Sequence, residues 1–322
     1  MKRRLTVTLL CLLAGLYAVD RLGGLLMEQV AHHTRDVLGP KLCDLERGLD
    51  ADVVLIGASR CHHHYVPSIL SGSLGLSVYN AGVGGSDNIF SHCLVLRHVL
   101  SRHVPRVVCL ELMTADFAPE ATPFLALSFF APLFGRCAEA DSLYRLSGTY
   151  WRYQVSHLYR YNAKAASNIL GLFFDRQREA DHGYMPLPRP SSPPSGLQPE
   201  SPVQGRDSLK LSYLQQFITL CRQHRIRLVF TVSPKLTKAP GGQYAVLKAV
   251  ARANGIPFLD YHSQGLYHDH KAYFKDFAHL CDPGARQYSL RFAADLKRII
   301  DNPAIGGQER GIYIREGRKV VR

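Results

Sequence analysis

Ser59 follows the apolar run Asp52-Val53-Val54-Leu55-Ile56-Gly57-Ala58, and far along the chain Asp276 stands three residues before His279. A neutral serine is a poor nucleophile and needs a base within hydrogen-bond reach. Histidine supplies that base. A carboxylate three residues upstream can bond its Nδ1–H from the same loop, fix the tautomer and leave Nε2 facing the serine. Singly, each stretch also reads as ordinary structure, a turn in one case and a polar surface loop in the other. Their weight comes from combination with a third stretch, Asn80-Ala81-Gly82-Val83-Gly84-Gly85. Glycine there lets the backbone approach a ligand closely and leaves N–H groups free to donate. The loop lacks both the GxGxxG spacing and the Lys-Ser/Thr of a phosphate-binding loop.

The elements around these stretches say how they are positioned. Five short β-branched or apolar runs, at 52–59, 77–85, 105–112, 226–234 and 256–262, read as strands buried on both faces, as in a parallel sheet. Helix-like segments at 86–103, 207–225, 241–254 and 284–300 lie between or after them. This β-α-β-α order predicts a doubly wound sheet with helices on both sides. Ligands bind such sheets at the carboxyl ends of the strands, where Ser59 and the glycine loop fall. A serine at a sharp strand-to-helix turn also receives the first N–H groups of the helix, aimed at developing negative charge.

Residues 117–183 interrupt the rhythm. They are rich in aromatics, among them Phe129, Phe130, Tyr144, Tyr150, Trp151 and Tyr153, and read as a helical insertion. It serves either as a lid or substrate wall over the strand ends or as extra helices completing the core. Residues 184–206 carry much of the proline and read as an exposed, poorly ordered loop.

Other polar residues near these ends have two readings each. Arg60 either holds a substrate carboxylate or phosphate or pairs with a neighbouring acid. Asn80 is a candidate substrate contact. His62, His63 and His64 suggest a metal only weakly, because adjacent side chains at a helix start diverge; one of them can line the pocket. Asp87 and Glu111 read as partners of basic groups. The eight cysteines show no CxxC or zinc-type spacing. An exported domain can form disulfides, although Cys109, inside a strand, reads as a buried small hydrophobe.

The chain has 39 Lys and Arg against 26 Asp and Glu, a formal charge of +13. The basic residues are scattered and no nucleic-acid motif appears, which argues against nucleic acid. Basic ends at 2–4 and 315–322 suit an anionic membrane surface or acidic polymer, or simply a solvated surface. Lys2, Arg3 and Arg4 precede the apolar run 5–19, which a second patch at 22–27 can lengthen if Arg21 snorkels. No small-x-small cleavage site follows, and Cys11 follows Leu10 rather than a small residue. Residues 1–28 are therefore expected to be an uncleaved signal anchor. The positive flank stays cytoplasmic, and the domain at 29–305 and basic tail at 306–322 lie outside a single-pass membrane segment.

Together these blocks resemble the SGNH (GDSL-like) hydrolase superfamily, across roughly 50–115 and 226–300. Ile56-Gly57-Ala58-Ser59 is similar to its nucleophile block, 80–85 to its glycine block, and Asp276-Phe277-Ala278-His279 to its last block. The phrasing of 54–70 followed by 78–85 is particularly like membrane-anchored members of bacterial envelopes. The resemblance implies a flavodoxin-like five-stranded parallel sheet flanked by helices, Ser59 as nucleophile, His279 as base and Asp276 as its support. It implies an oxyanion held by the N–H groups of Ser59 and Gly82, with no metal or dissociable cofactor. The family's third block carries an Asn that 111–116 lacks, so Thr114 or Asn88 is the expected substitute donor. Three functions follow: hydrolysis of an envelope ester such as an acylated glycan, O-acyl transfer to a surface polysaccharide, or an inactive binding module. Ala58 also departs from the Asp usual in the first block.

Overall fold

The structure is a computed structural model, and it describes residues 1–36, 38–174 and 181–302. Five strands, Val53–Ile56 (β1), Val78–Asn80 (β2), Val107–Glu111 (β3), Arg227–Val232 (β4) and Phe258–Asp260 (β5), form one parallel sheet in the order β2-β1-β3-β4-β5. This is the doubly wound, flavodoxin-like order. Each strand is shorter than its apolar run because the carboxyl end of the run leaves the sheet as a loop.

Alternation along the strands divides the core in two. Val54, Ile56, Val108, Leu110 and Phe230 face one side, with Phe90, Leu94, Leu214 and Phe217. Val53, Leu55, Val107, Cys109 and Val229 face the other, with Tyr65, Leu70, Tyr288 and Phe292. The helices are Lys2–His33 (α1), Leu38–Arg47 (α2), Ser59–His64 (α3), Pro67–Leu74 (α4), Ile89–Leu100 (α5), Ala138–Leu146 (α6), Tyr150–Val155 (α7), Ala165–Phe173 (α8), Ser208–Gln223 (α9), Ala245–Ala253 (α10) and Asp282–Asp301 (α11). α5 and α9 cover the first face, and α4 and α11 the second.

The insertion is helical only in pieces: 3-10 turns at Thr114–Phe117, Leu125–Leu133 and Leu158–Tyr161 alternate with α6, α7 and α8, and Pro132 sits inside the second turn. Its aromatics pack on one another. The Phe134 ring lies 5.6 Å from Tyr144 and 5.2 Å from Tyr150. This part of the insertion extends the core. Phe129 reaches further, to 3.4 Å from where a Cβ on Gly85 would stand.

The proline-rich stretch is pinned more firmly than its composition suggests. Tyr184 and Met185 are buried. Gln198–Pro199 pairs with Thr237–Lys238, and Glu200 meets Lys235 at 2.5 Å. Residues 191–193, 197–199 and 201–206 are exposed. Among the described residues all eight cysteines are free, Cys109 and six others buried and Cys11 exposed. α1 is long and apolar enough to cross a membrane. The basic tail at 306–322 lies outside the described residues.

A buried polar hub ties the strand ends together. Arg60, from α3, lies 3.2 Å from Glu111 Oε1, and both side chains are 2% exposed. Arg60 also donates to the carbonyls of Ser233 (3.2 Å) and Leu112 (2.8 Å). Glu111 accepts from the Ser233 N–H (3.0 and 3.2 Å), the Ser233 hydroxyl (2.7 Å) and the Tyr65 hydroxyl. Of the two roles expected for Arg60, pairing with an acid is the one found; its guanidinium is walled in and reaches no substrate.

Removing one member of a buried pair strands the other charge, at a cost of about 3–5 kcal/mol. Glu111→Ala should therefore lose roughly that much stability in urea, at unchanged denaturant slope. The double change Arg60→Met with Glu111→Leu should lose clearly less. Equal losses would show that the pair is not the source of the cost.

Candidate active site

Ser59 is the first residue of α3, immediately after β1 and the Gly57-Ala58 turn. Two glycines make the turn possible. A Cβ on Gly57 would stand 2.7 Å from Cys61 Cβ and 2.8 Å from Glu111 Cβ. A Cβ on Gly82 would stand 2.6 Å from the His62 nitrogen. Contacts this short do not occur, so β1 turns into α3 beside β3 only with glycine at 57, and the loop after β2 closes on α3 only with glycine at 82.

His279 arrives from the loop between Phe274 and Leu280, whose backbones form an antiparallel bridge. Its Nε2 lies 2.9 Å from Ser59 Oγ. Its Nδ1 lies 3.0 Å from each Asp276 oxygen. The carboxylate can only accept, so Nδ1 carries the proton, Nε2 is the acceptor and the serine hydroxyl donates to it. Asp276 Oδ1 also accepts from the N–H groups of Ala278 and His279, both at 2.8 Å. Burial alone would raise the Asp276 carboxyl, but these bonds and the imidazole win and hold it at about 2.

The histidine loop is fixed from below. The Leu280 N–H donates to His64 Nε2 at 2.9 Å. That sets the His64 tautomer: Nδ1–H donates to Ser233 Oγ at 2.8 Å, and this hydroxyl donates to Glu111. A buried chain thus runs from the Arg60–Glu111 hub to the residue beside His279. His63 donates from Nδ1 to the Met185 carbonyl at 2.8 Å, and its ring meets His279 edge-on at 5.7 Å. Burial lowers His63 to about 4, and lowers His62 and His64 too, so neutral rings surround the site.

Several residues expected to touch substrate are committed elsewhere. Asn80, fully buried, donates to the carbonyls of Cys61 (2.7 Å) and Tyr65 (3.0 Å) and accepts from the Gly82 N–H at 3.0 Å. It clamps the two loops together, and the Gly82 N–H, expected to be free, is engaged. Lys41 of α2 donates to the carbonyls of Gly82 and Gly183, tying down the next peptide of the same loop. Among the described residues the N–H groups of Ser59, Gly84 and Gly85 meet no protein acceptor. Gly84 and Gly85 form a turn closed by Ser86 N–H to the Val83 carbonyl, with Gly85 at φ 77° as such a turn requires.

Asn88 caps α5, accepting from the Phe90 N–H at 3.1 Å and donating to the Pro123 carbonyl at 2.7 Å, so its amide is not free. Thr114 Oγ1 accepts from Gln243 Nε2 at 3.1 Å and lines a cavity with Phe117, Arg206 and Leu247; neither Ser59 nor His279 lines it.

Asp116, the last residue of the 111–116 stretch, was not singled out from sequence. Burial raises it to about 7 although Oδ2 accepts from the Met113 N–H at 2.7 Å, and its buried Oδ1 has no partner. Ser233 and Lys41 were missed as well, and His64, named only with its neighbours as able to line the pocket, instead braces the histidine loop. Ser233, like Glu111, stands at a strand end, the one signal that pointed toward it.

Among the described residues, ligand-type side chains converge away from this site, at Glu28, His32 and Glu46. Arg136 already lies 2.5 and 2.8 Å from the two carboxylates.

No protein-family model and no curated protein matches the chain. A solved structure from Bacteroides fragilis, described provisionally as an acylhydrolase, is similar over 77% of this chain and 87% of its own, at 17% identity and a TM-score of 0.35. The reading of the site rests on its own geometry.

Proposed function

We propose that this protein is a serine acyl hydrolase of the SGNH type, anchored by α1 and facing out of the cell, that cleaves an ester in the envelope such as that of an acylated glycan. The observation that carries this reading is the relay Ser59 Oγ, His279 Nε2, His279 Nδ1, Asp276, with each link between 2.9 and 3.0 Å.

Ser59 Oγ attacks the ester carbonyl as its proton passes to His279 Nε2. Asp276, ionised down to about pH 2, stabilises the imidazolium. The tetrahedral oxygen gathers its charge against backbone N–H groups. With Gly82 engaged, Ser59 supplies one, and Gly84 or Gly85 in the adjacent turn supplies the next. Collapse returns the proton from Nε2 to the leaving alkoxide and leaves an acyl-serine. Water, deprotonated by His279, then releases the acid.

A second reading, O-acyl transfer to a polysaccharide hydroxyl, has one observation in its favour. The His279 and Asp276 side chains are 24% and 51% exposed, an open edge that a polymer can reach. Ester turnover in water without an added acceptor separates the two.

Ser59→Ala should lower turnover of a short p-nitrophenyl ester by at least about 10³-fold with an unchanged melting temperature. Retained activity removes Ser59 from the site.

The Asp276 carboxyl is depressed from 3.8 to about 2 in the folded chain. Its contribution to stability is therefore complete above the unfolded value and fades as pH falls through the folded one. The melting-temperature gap between the native chain and Asp276→Asn should stay constant above about pH 4 and close toward pH 2. A gap unchanged across that window would contradict the Asp276–His279 pairing.

A further inference from the structure

α1 is one continuous helix from Lys2 to His33, and it is joined to the domain at a definite height. Asp20, the first acidic residue after the apolar run, accepts from the Ser156 hydroxyl and from the N–H groups of His157 (2.9 Å) and Leu158 (3.3 Å). Arg21 donates to the Val155 carbonyl at 3.1 Å. Gly24 is pressed against the same turn: a Cβ there would stand 2.5 Å from His157 Cβ. The end of α7 and the turn after it are therefore fixed beside the charged pair Asp20-Arg21, which separates the apolar runs 5–19 and 22–27 of α1.

At that height the insertion presents apolar side chains to the outside. Trp151 and Val155 are each 69% exposed and Leu158 41%. Single exposed hydrophobics are ordinary. Here a tryptophan and two aliphatics lie on the segment that bonds to Asp20 and Arg21 of a membrane-length helix, with the Leu158 side chain 3.4 Å from where a Cβ on Gly23 would stand. The exposed Arg145 and Arg152 border them, and the Arg145 guanidinium stacks 3.5 Å over the Tyr150 ring. An indole and aliphatics fringed by arginine are the chemistry of the bilayer interface, where amphipathic rings sit at headgroup depth and cations meet anionic lipid.

We propose that the edge formed by Trp151, Val155 and Leu158 is a membrane-interface platform that seats the domain on the bilayer in one orientation. It rests on the reading of α1 as a membrane span, and is independent of the reading of Ser59. The partner is the bilayer itself. The domain is then not a body on a flexible tether: the contact between α1 and the turn after α7, at His157 and Leu158, sets its height and tilt.

The chain holds a single tryptophan, so emission reports Trp151 alone. The full-length chain would be placed in nanodiscs of phosphatidylcholine and phosphatidylglycerol, with and without lipids brominated high on the acyl chains. The platform predicts blue-shifted emission that is roughly halved by the brominated lipid, with both effects lost in Val155→Asp. Water-like, unquenched emission overturns it. A nitroxide on Cys11, the exposed cysteine, tells which reading fails. Lipid-exposed Cys11 with unquenched Trp151 overturns the platform and keeps the span. Water-exposed Cys11 overturns both, and leaves ester turnover unaffected.

Discussion

The hydrogen bond between Ser59 and His279 joins residues 220 positions apart, and the rest of the structure depends on holding it at 2.9 Å. Neither partner can set that distance. Ser59 is placed by the turn out of β1, and that turn exists because Gly57 and Gly82 leave room where a side chain would collide. His279 is placed by a loop closed on itself through Asp276 and the Phe274–Leu280 bridge. The loop is tied to the interior where the next N–H, that of Leu280, is captured by a buried histidine. Reactive geometry at the surface is inherited from satisfied polar groups beneath it.

That buried layer is costly to build. Glu111, Arg60, Lys41 and His64 are each almost entirely removed from water. Charged or polar groups survive such burial only when paired and bonded. Glu111 accepts from Ser233 and Tyr65 and pairs with Arg60, and through Ser233 it also sets the proton position on His64. One carboxylate therefore braces the ends of β3 and β4, the start of α3 and the loop that carries His279. Lys41 adds a connection from α2, the helix that follows α1, to the loop carrying Gly82. The candidate site and α2 are thus parts of one packed body.

Much of the fold was legible because buried parallel strands write a continuous apolar run, and five such runs became five strands in sequence. Ser59, Asp276 and His279 were legible because strand ends and an Asp-x-x-His spacing mark where a relay can form. What was not legible shares a physical cause. Arg60 looks like a substrate contact until Glu111, at the end of another strand, is seen 3.2 Å away. The Gly82 N–H looks free until the Asn80 side chain folds back on it. Thr114 and Asn88 looked available for the same reason. Partners distant in sequence or set by a rotamer leave no local pattern. The insertion was ambiguous because aromatic composition serves a lid and a core equally well; ring-on-ring packing puts Phe134, Tyr144 and Tyr153 in the core, while Trp151 stays exposed and Phe129 reaches toward Gly85.

The central claim is that His279 activates Ser59 and no other nucleophile on this chain. A fluorophosphonate reports this directly, since it bonds only to a serine whose base and oxyanion donors are in place. Peptide mass mapping after labelling should find one adduct, on Ser59, formed by the native chain and absent from His279→Gln. An unlabelled native chain, an adduct on another residue, or equal labelling without His279 would contradict the account.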